Sequence, residues 1–213
     1  MNKGFFISLE GGEGAGKSTQ NKRIVRWLAQ QVKDVLETRE PGGTVVSEKI
    51  RKMLLDNRNA GLNATAELLM MFAARSQLVE EVILPALAAG QVVVCDRFAD
   101  ASYAYQGGGR QLGGETVEVV EKLVLKGLQP NLTLLFDVPV EQGMKRVASR
   151  GEADRFEVES LRFFERVRKA YLERAAAQPG RFRIIDASQN EDVVWQQVKA
   201  ALQEAPGLRV TKS

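Results

Sequence analysis

The sequence predicts an α/β fold of three layers, with a five-stranded parallel sheet covered by helices on both faces. Three observations predict it. Short apolar runs alternate with longer stretches of helical periodicity along the chain. Two of the runs, Gln91–Cys95 (QVVVC) and Leu132–Phe136 (LTLLF), are β-branched or apolar almost throughout, as strands buried on both faces are. A Gly-rich turn follows the first run and leads straight into a helical pattern.

Each element follows in order. Phe5–Leu9 is a short strand closed by glycines, and a helix runs from about Lys17 to Val32. Asp34–Thr38 is the second strand. Asn63–Ala89 is a long helix, because Leu68, Leu69, Phe72, Leu78, Val79, Val82 and Leu87 keep near-helical spacing; Pro85 kinks or ends part of it. Gln91–Cys95 is the third strand, Glu115–Lys126 a helix and Leu132–Phe136 the fourth strand. Val140–Ser149 and Glu157–Ala177 are helices, Phe182–Ile185 the last strand and Glu191–Gln203 the last helix. Repeats, low-complexity tracts and linkers are absent, so residues 1–213 read as one domain, with a lid over about 146–157.

Composition narrows the chemistry. The chain has no His and one Cys, Cys95. A His-based triad, a His general base, an imidazole metal ligand, an internal disulfide and a multi-cysteine zinc site are excluded. If the chain is an enzyme, its chemistry must run on Lys, Arg, carboxylates and hydroxyls, with or without a hard metal ion. The net charge of +3, without basic runs, implies neither nucleic-acid nor membrane binding. No apolar run approaches a membrane span, the N-terminal run reads as a strand and not a signal peptide, and a cytoplasmic location is expected. Of the 30 basic residues 18 are Arg, whose planar fork suits phosphate, so their positions matter.

Gly11-Gly12-Glu13-Gly14-Ala15-Gly16-Lys17-Ser18 matches G-x-x-x-x-G-K-[ST] between a strand and a helix. Glycines let backbone N–H groups turn inward around phosphate oxygens at the positive end of the next helix. With Thr19, these residues form the expected ATP cradle. Lys17 contacts the β/γ-phosphates and Ser18 ligates Mg²⁺. The motif indicates a nucleoside triphosphate without separating kinase, switch, motor or gated binding protein.

Three further segments choose among these: Thr38-Arg39-Glu40-Pro41-Gly42-Gly43-Thr44, Phe72-Ala73-Ala74-Arg75, and Asp96-Arg97-Phe98 followed by Ala101–Arg110 (ASYAYQGGGR). A monophosphate acceptor needs a dianion cradle facing the P-loop, and Arg39, Arg51, Arg75 and Arg97 offer planar donors at or near strand ends. Surface ion pairing is the alternative for each. GGEGAGKST, TREPGGT, CDRF and AYQGGGR, in that order, resemble the thymidylate kinase family over about residues 3–187.

The resemblance implies a three-layer P-loop kinase fold, ATP and dTMP as substrates, Mg²⁺ as cofactor and a homodimer. By it, Arg97 and Arg51 hold the dTMP phosphate, with Arg39 in support. Arg75 and Gln106 hydrogen-bond the thymine edge, Ser102 assists near the base, and Tyr105 sits close to the deoxyribose C2′. Glu13 contacts the sugar 3′-OH or a water on Mg²⁺, or is a solvated loop carboxylate. Asp96 reaches Mg²⁺ directly or through water, or is a structural partner of Arg97. The family's stacking aromatic falls here on Met71. Either Phe72, one residue on and about 100° around the helix, turns in to stack, or Met71 makes a softer contact and Phe72 is core. Ala101 stands where the family commonly has Ser.

Arg146–Phe156 (RVASRGEADRF) is polar, contains Gly and is dense in Arg, which suits a flap that closes over the triphosphate and excludes water. The P-loop has no Arg between its glycines, a division that bacterial-type members of the resembled family share, with catalytic Arg residues in the lid. By that resemblance Arg150 and Arg155 stabilise the transferred phosphoryl group, alongside Lys17 and Arg97, and the alternative is a solvated charged loop. Arg146 is a helix-face residue, functional or structural. The competing functions are a kinase for another monophosphate and a nucleotide switch without a small-molecule acceptor.

Overall fold

The chain's computed structural model describes residues 4–148 and 154–210. Strands β1 (Phe5–Glu10), β2 (Val35–Arg39), β3 (Val92–Asp96), β4 (Leu132–Asp137) and β5 (Phe182–Asp186) pair in the order β2-β3-β1-β4-β5, all parallel. The helices are α1 (Lys17–Leu28), α2 (Val45–Leu55), α3 (Ala64–Leu78), α4 (Leu84–Ala88), α5 (Ala99–Ser102), α6 (Gly114–Leu125), α7 (Val140–Ala148), α8 (Leu161–Ala177) and α9 (Glu191–Glu204).

The sheet is buried on both faces because successive side chains alternate. Phe5, Ile7 and Leu9 of β1 pack with Val92, Val94, Leu134 and Phe136 against Ile24 and Leu28 of α1 and Val194 and Val198 of α9. Phe6, Val93 and Cys95 point the other way, onto Leu78, Ile83 and Phe98. Leu135 joins Phe163, Phe164, Val167 and Tyr171 of α8.

Two segments differ from the sequence expectation. The long helix does not run unbroken to residue 89. After α3 it widens into a π-turn at Val79–Ile83 and resumes as α4 with Pro85 in its first turn. Proline has no N–H for the preceding turn, and the wider turn accommodates the missing bond. The helix expected from Glu157 begins at Leu161, where the Ser160 hydroxyl accepts from Phe163 N–H as a cap. Tyr103–Gly109 was read for its motif alone and forms a π-helical segment laid against α8. A β-carbon on Gly109 would lie 2.6 Å from the Phe163 ring, so only glycine admits that approach.

Among the described residues, no helix is long and apolar enough to cross a membrane. The carboxyl ends of β1, β2 and β3 converge on one edge, where ligands of such sheets sit.

Candidate active site

The P-loop leaves β1 after Glu10 and enters α1 at Lys17. Gly14 has φ 69°, and a β-carbon there would lie 2.0 Å from the Gly143 carbonyl oxygen of α7. The loop is thus wedged between its own turn and a neighbouring helix, and the glycine is obligatory. Lys17 Nζ donates to the carbonyls of Gly11 and Gly12, each at 2.9 Å. Burial, and then the nearby Arg97 guanidinium, push its pKa down to about 8.

One cleft of about 260 Å³ opens beside this loop. Its walls carry Glu13, Gly14, Ala15, Gly16, Lys17 and Ser18 from the P-loop, with Arg39, Arg51, Arg75, Asp96, Arg97, Ser102, Tyr105 and Gln106. Residues scattered over the sequence therefore meet in one place. Gly11 and Gly12 line a smaller adjoining recess, and Thr19 is exposed on α1.

Arg97 follows β3 with φ 68°, a left-handed conformation that a non-glycine residue pays for in strain. Its guanidinium donates to Gly11 O at 3.0 Å, to Glu13 Oε1 at 2.5 Å and to the Tyr171 hydroxyl at 3.3 Å, and lies over the Tyr105 ring at 4.8 Å. Tyr105 also donates to Glu13 Oε1 at 2.8 Å. Glu13 is therefore no solvated loop carboxylate. Arg51 donates to Pro41 O, and burial together with the Arg39 charge lowers its pKa, as expected where cations crowd to receive an anion. Arg39 is 52% exposed and pairs with Glu48 at 2.7 Å.

Arg75 is buried in the wall: it donates to Glu40 at 2.7 Å, Ser102 Oγ at 3.1 Å and Phe98 O at 3.1 Å. The Asp96 Oδ1 atom is buried and accepts no hydrogen bond among the described residues, and the Ser18 hydroxyl is exposed at the same cleft. An unclaimed carboxylate oxygen and an exposed hydroxyl lining one cleft suit a hard cation.

Three expectations need correction or fall outside the structure. Phe72 does not reach the cleft: it is 1% exposed, packs with Leu68, Tyr103 and Val117, and carries the Arg75 guanidinium on its ring at 4.4 Å. Met71 lines the cleft in its place, since one residue of rotation puts Phe72 on the core face of α3. Arg155 is not free to meet a phosphoryl group. It is 4% exposed and donates to Leu54 O and Glu67 Oε2, each at 2.7 Å, because Glu67 is a buried carboxylate that needs a cation. Arg150 lies outside the described residues. Arg146 reaches the P-loop, donating to Gly14 O at 3.3 Å and Ala187 O at 2.9 Å.

Substituting Phe72 and Met71 separates their roles. Phe72→Ala is expected to cost about 3–5 kcal/mol of stability as a core truncation. Met71 is half-buried beside the Phe163 and Tyr171 cluster, so Met71→Ala is expected to lower the melting temperature less than Phe72→Ala and to raise the acceptor KM. Thermal melts and steady-state kinetics on both variants check this, and equal destabilisation would remove the distinction.

Sequence reasoning missed Glu10, Glu40, Glu67 and Tyr171. Glu10 accepts Phe98 N–H at 2.7 Å and the Tyr171 hydroxyl at 2.9 Å, so it steadies the backbone and the hydroxyl on either side of Arg97. An acid ending an otherwise apolar strand was the available signal. Burial, then the charge of Asp100, raises the Glu10 pKa to about 8, against the opposing pull of Arg97; burial raises Glu40 to about 7 despite Arg75. A chain without His thus acquires two carboxyl groups, in addition to Lys17, that titrate near neutrality. Raised folded-state values mean stability that is present at low pH and is lost as pH rises through them. From about pH 5 to about pH 8 the fold is therefore expected to lose stability. Melting temperatures across that range should fall, and Glu10→Gln together with Glu40→Gln should flatten the slope.

A P-loop facing a cluster of guanidinium groups across one cleft fits a P-loop kinase, an enzyme that transfers the terminal phosphoryl group of a nucleoside triphosphate to a second substrate and releases the diphosphate. The thymidylate kinase family profile matches residues 9–198. A thymidylate kinase of Pseudomonas putida (strain F1) is 52% identical over 205 residues, 96% of each chain. One of Pseudomonas syringae pv. tomato is 54% identical over 187 residues, 88% of this chain and 89% of its own. The crystal structure of thymidylate kinase from Ehrlichia chaffeensis shares the fold with a TM-score of 0.76 at 30% identity, over 93% of this chain and 98% of that one. The chain belongs to the thymidylate kinase family.

Proposed function

We propose that the chain transfers the γ-phosphoryl group of ATP to dTMP, giving ADP and dTDP, with Mg²⁺ assisting. The observation that carries this is the single cleft in which the P-loop meets Arg39, Arg51 and Arg97, with Arg75, Gln106, Ser102 and Tyr105 further along its wall. The P-loop N–H groups and Lys17 hold the triphosphate, and the guanidinium groups of Arg97 and Arg51 hold the acceptor phosphate. Ser18 and Asp96 would hold Mg²⁺, which supplies charge neutralisation to the phosphates when bound. The acceptor phosphate oxygen is already ionised at neutral pH, so no side chain need remove a proton from it. The protein supplies alignment and positive charge. Arg150 remains the proposed lid cation over the transferred group. Arg155 acts instead as an anchor for the end of the lid.

ADP release with a panel of monophosphates tests the proposal. Strong stimulation by dTMP, weak by dUMP and none by CMP or GMP is expected. Nucleotide binding without acceptor-stimulated turnover would favour a switch.

A homodimer in the cytoplasm belongs to the same proposal. Leu69 on α3 and Val119 and Leu123 on α6 are 53%, 71% and 75% exposed, and the latter two share one helix stripe. Sedimentation should give a two-chain mass, and Leu123→Asp a single chain.

A further inference from the structure

Glu67 lies on α3 with no solvent exposure. Its Oε1 atom accepts from Nε2 of Gln106 at 2.8 Å and from Nε of Arg110 at 3.3 Å. Its Oε2 atom accepts from Arg155 at 2.7 Å and Arg110 at 3.2 Å. The two guanidinium groups compensate the charge of Glu67 and fix its position. A carboxylate can only accept, so the Gln106 side chain can offer it only its NH₂ end. The amide is planar, and its other end, Oε1, accepts no hydrogen bond among the described residues. Gln106 lines the cleft.

We propose that Glu67 is a positioning residue for base selectivity: by holding Gln106 Nε2, it presents Gln106 Oε1 to the bound base as an obligatory acceptor. This rests on the dTMP reading above. Arg75 supplies donors from the same wall. A guanidinium has five N–H groups, and Glu40, Ser102 and Phe98 O take one each. A wall that offers a donor next to an acceptor matches thymine, whose O4 accepts and whose N3–H donates. Cytosine presents the inverse, an N4 amino donor beside an N3 acceptor. It would meet donor against donor and acceptor against acceptor. A freely turning Gln106 could flip its NH₂ toward cytosine N3 and repair half of that mismatch. Glu67 forbids the flip. Uracil has the same edge as thymine, so the device leaves those two undistinguished.

Glu67→Gln tests this. The new amide can donate as well as accept, so Gln106 can take either orientation. The preference for dTMP over dCMP, as a ratio of kcat/KM values, is expected to fall roughly tenfold to hundredfold. The dTMP to dUMP ratio should stay put, whereas an effect confined to the Arg155 anchor of the lid would move the KM for ATP and leave the dTMP to dCMP ratio alone. An unchanged dTMP to dCMP ratio in the folded variant overturns the inference. If the variant does not fold, the wild-type chain serves: its Gln106 side-chain NH₂ resonances, assigned by their loss in Gln106→Met, are followed through a dTMP titration. Slow solvent exchange with little shift supports the arrangement, and a large shift from direct contact with the base overturns it. A wild-type chain whose ADP release does not respond to dTMP is recognised before any substitution, and it sinks the functional reading together with this one.

Discussion

Lys17→Ala is expected to lower kcat by roughly 10²–10³-fold while the dTMP KM changes little. The ammonium group already sits inside the P-loop, bonded to the carbonyls of Gly11 and Gly12. It has little to reorganise when a triphosphate arrives, so its charge acts on the phosphoryl group in flight more than on the resting substrate. Alanine removes that charge from a buried position inside the P-loop. A second signature distinguishes this from mere loss of shape. Without ligand, burial and Arg97 hold the Lys17 pKa near 8. Phosphates bind the charged form, so kcat/KM for ATP should decline as pH rises through about 8. The same profile in Lys17→Ala should lack that limb. A Lys17→Ala enzyme that retains its kcat would remove the ammonium from the transfer step.

The fold was legible because its determinants are local. The β-branched run at Val92–Cys95 and the apolar run at Leu132–Phe136 can be satisfied only by strands buried on both faces, and the structure places both in the middle of the sheet. The P-loop was legible for the same reason: strand, glycines, lysine and helix follow one another directly. Helix ends were less so. The π-turn at Val79–Ile83 depends on how the chain relieves Pro85, and periodicity has no register for a wider turn.

The site was legible to the extent that motifs name residue types at strand ends. Arg51, Arg75, Arg97, Tyr105 and Gln106 all meet in the cleft. The buried carboxylates were not legible, since a Glu in a helix such as α3 looks like any solvated Glu until three elements fold over it. That also explains Arg155. Read along the chain it is one more lid cation, and only the folded chain shows that Glu67, 88 positions away, has claimed it. Phe72 and Met71 stood as alternatives because one residue of helix rotation decides which of them faces the cleft, and a motif without a rigid anchor cannot resolve that.

Arg97→Ala is expected to raise the dTMP KM by roughly 10²-fold, the cost of losing charge-assisted hydrogen bonds to a phosphate dianion. Its guanidinium joins the P-loop at Gly11 O, the Glu13 carboxylate and the Tyr171 hydroxyl, so it can report to the acceptor phosphate from a fixed place. Arg97→Lys should not rescue it, because a single ammonium cannot span those three partners with one planar fork. Its backbone provides the control. At φ 68° any β-carbon is strained, by about 1–2 kcal/mol. Arg97→Gly should therefore melt above Arg97→Ala while losing dTMP affinity to the same degree. That pairing separates the side chain's function from the conformation that delivers it. Strain held at a residue that lines the cleft is evidence that placement there outweighs stability. Equal melting temperatures would show that the left-handed turn carries no cost, and an unchanged dTMP KM in either variant would take Arg97 out of the acceptor site.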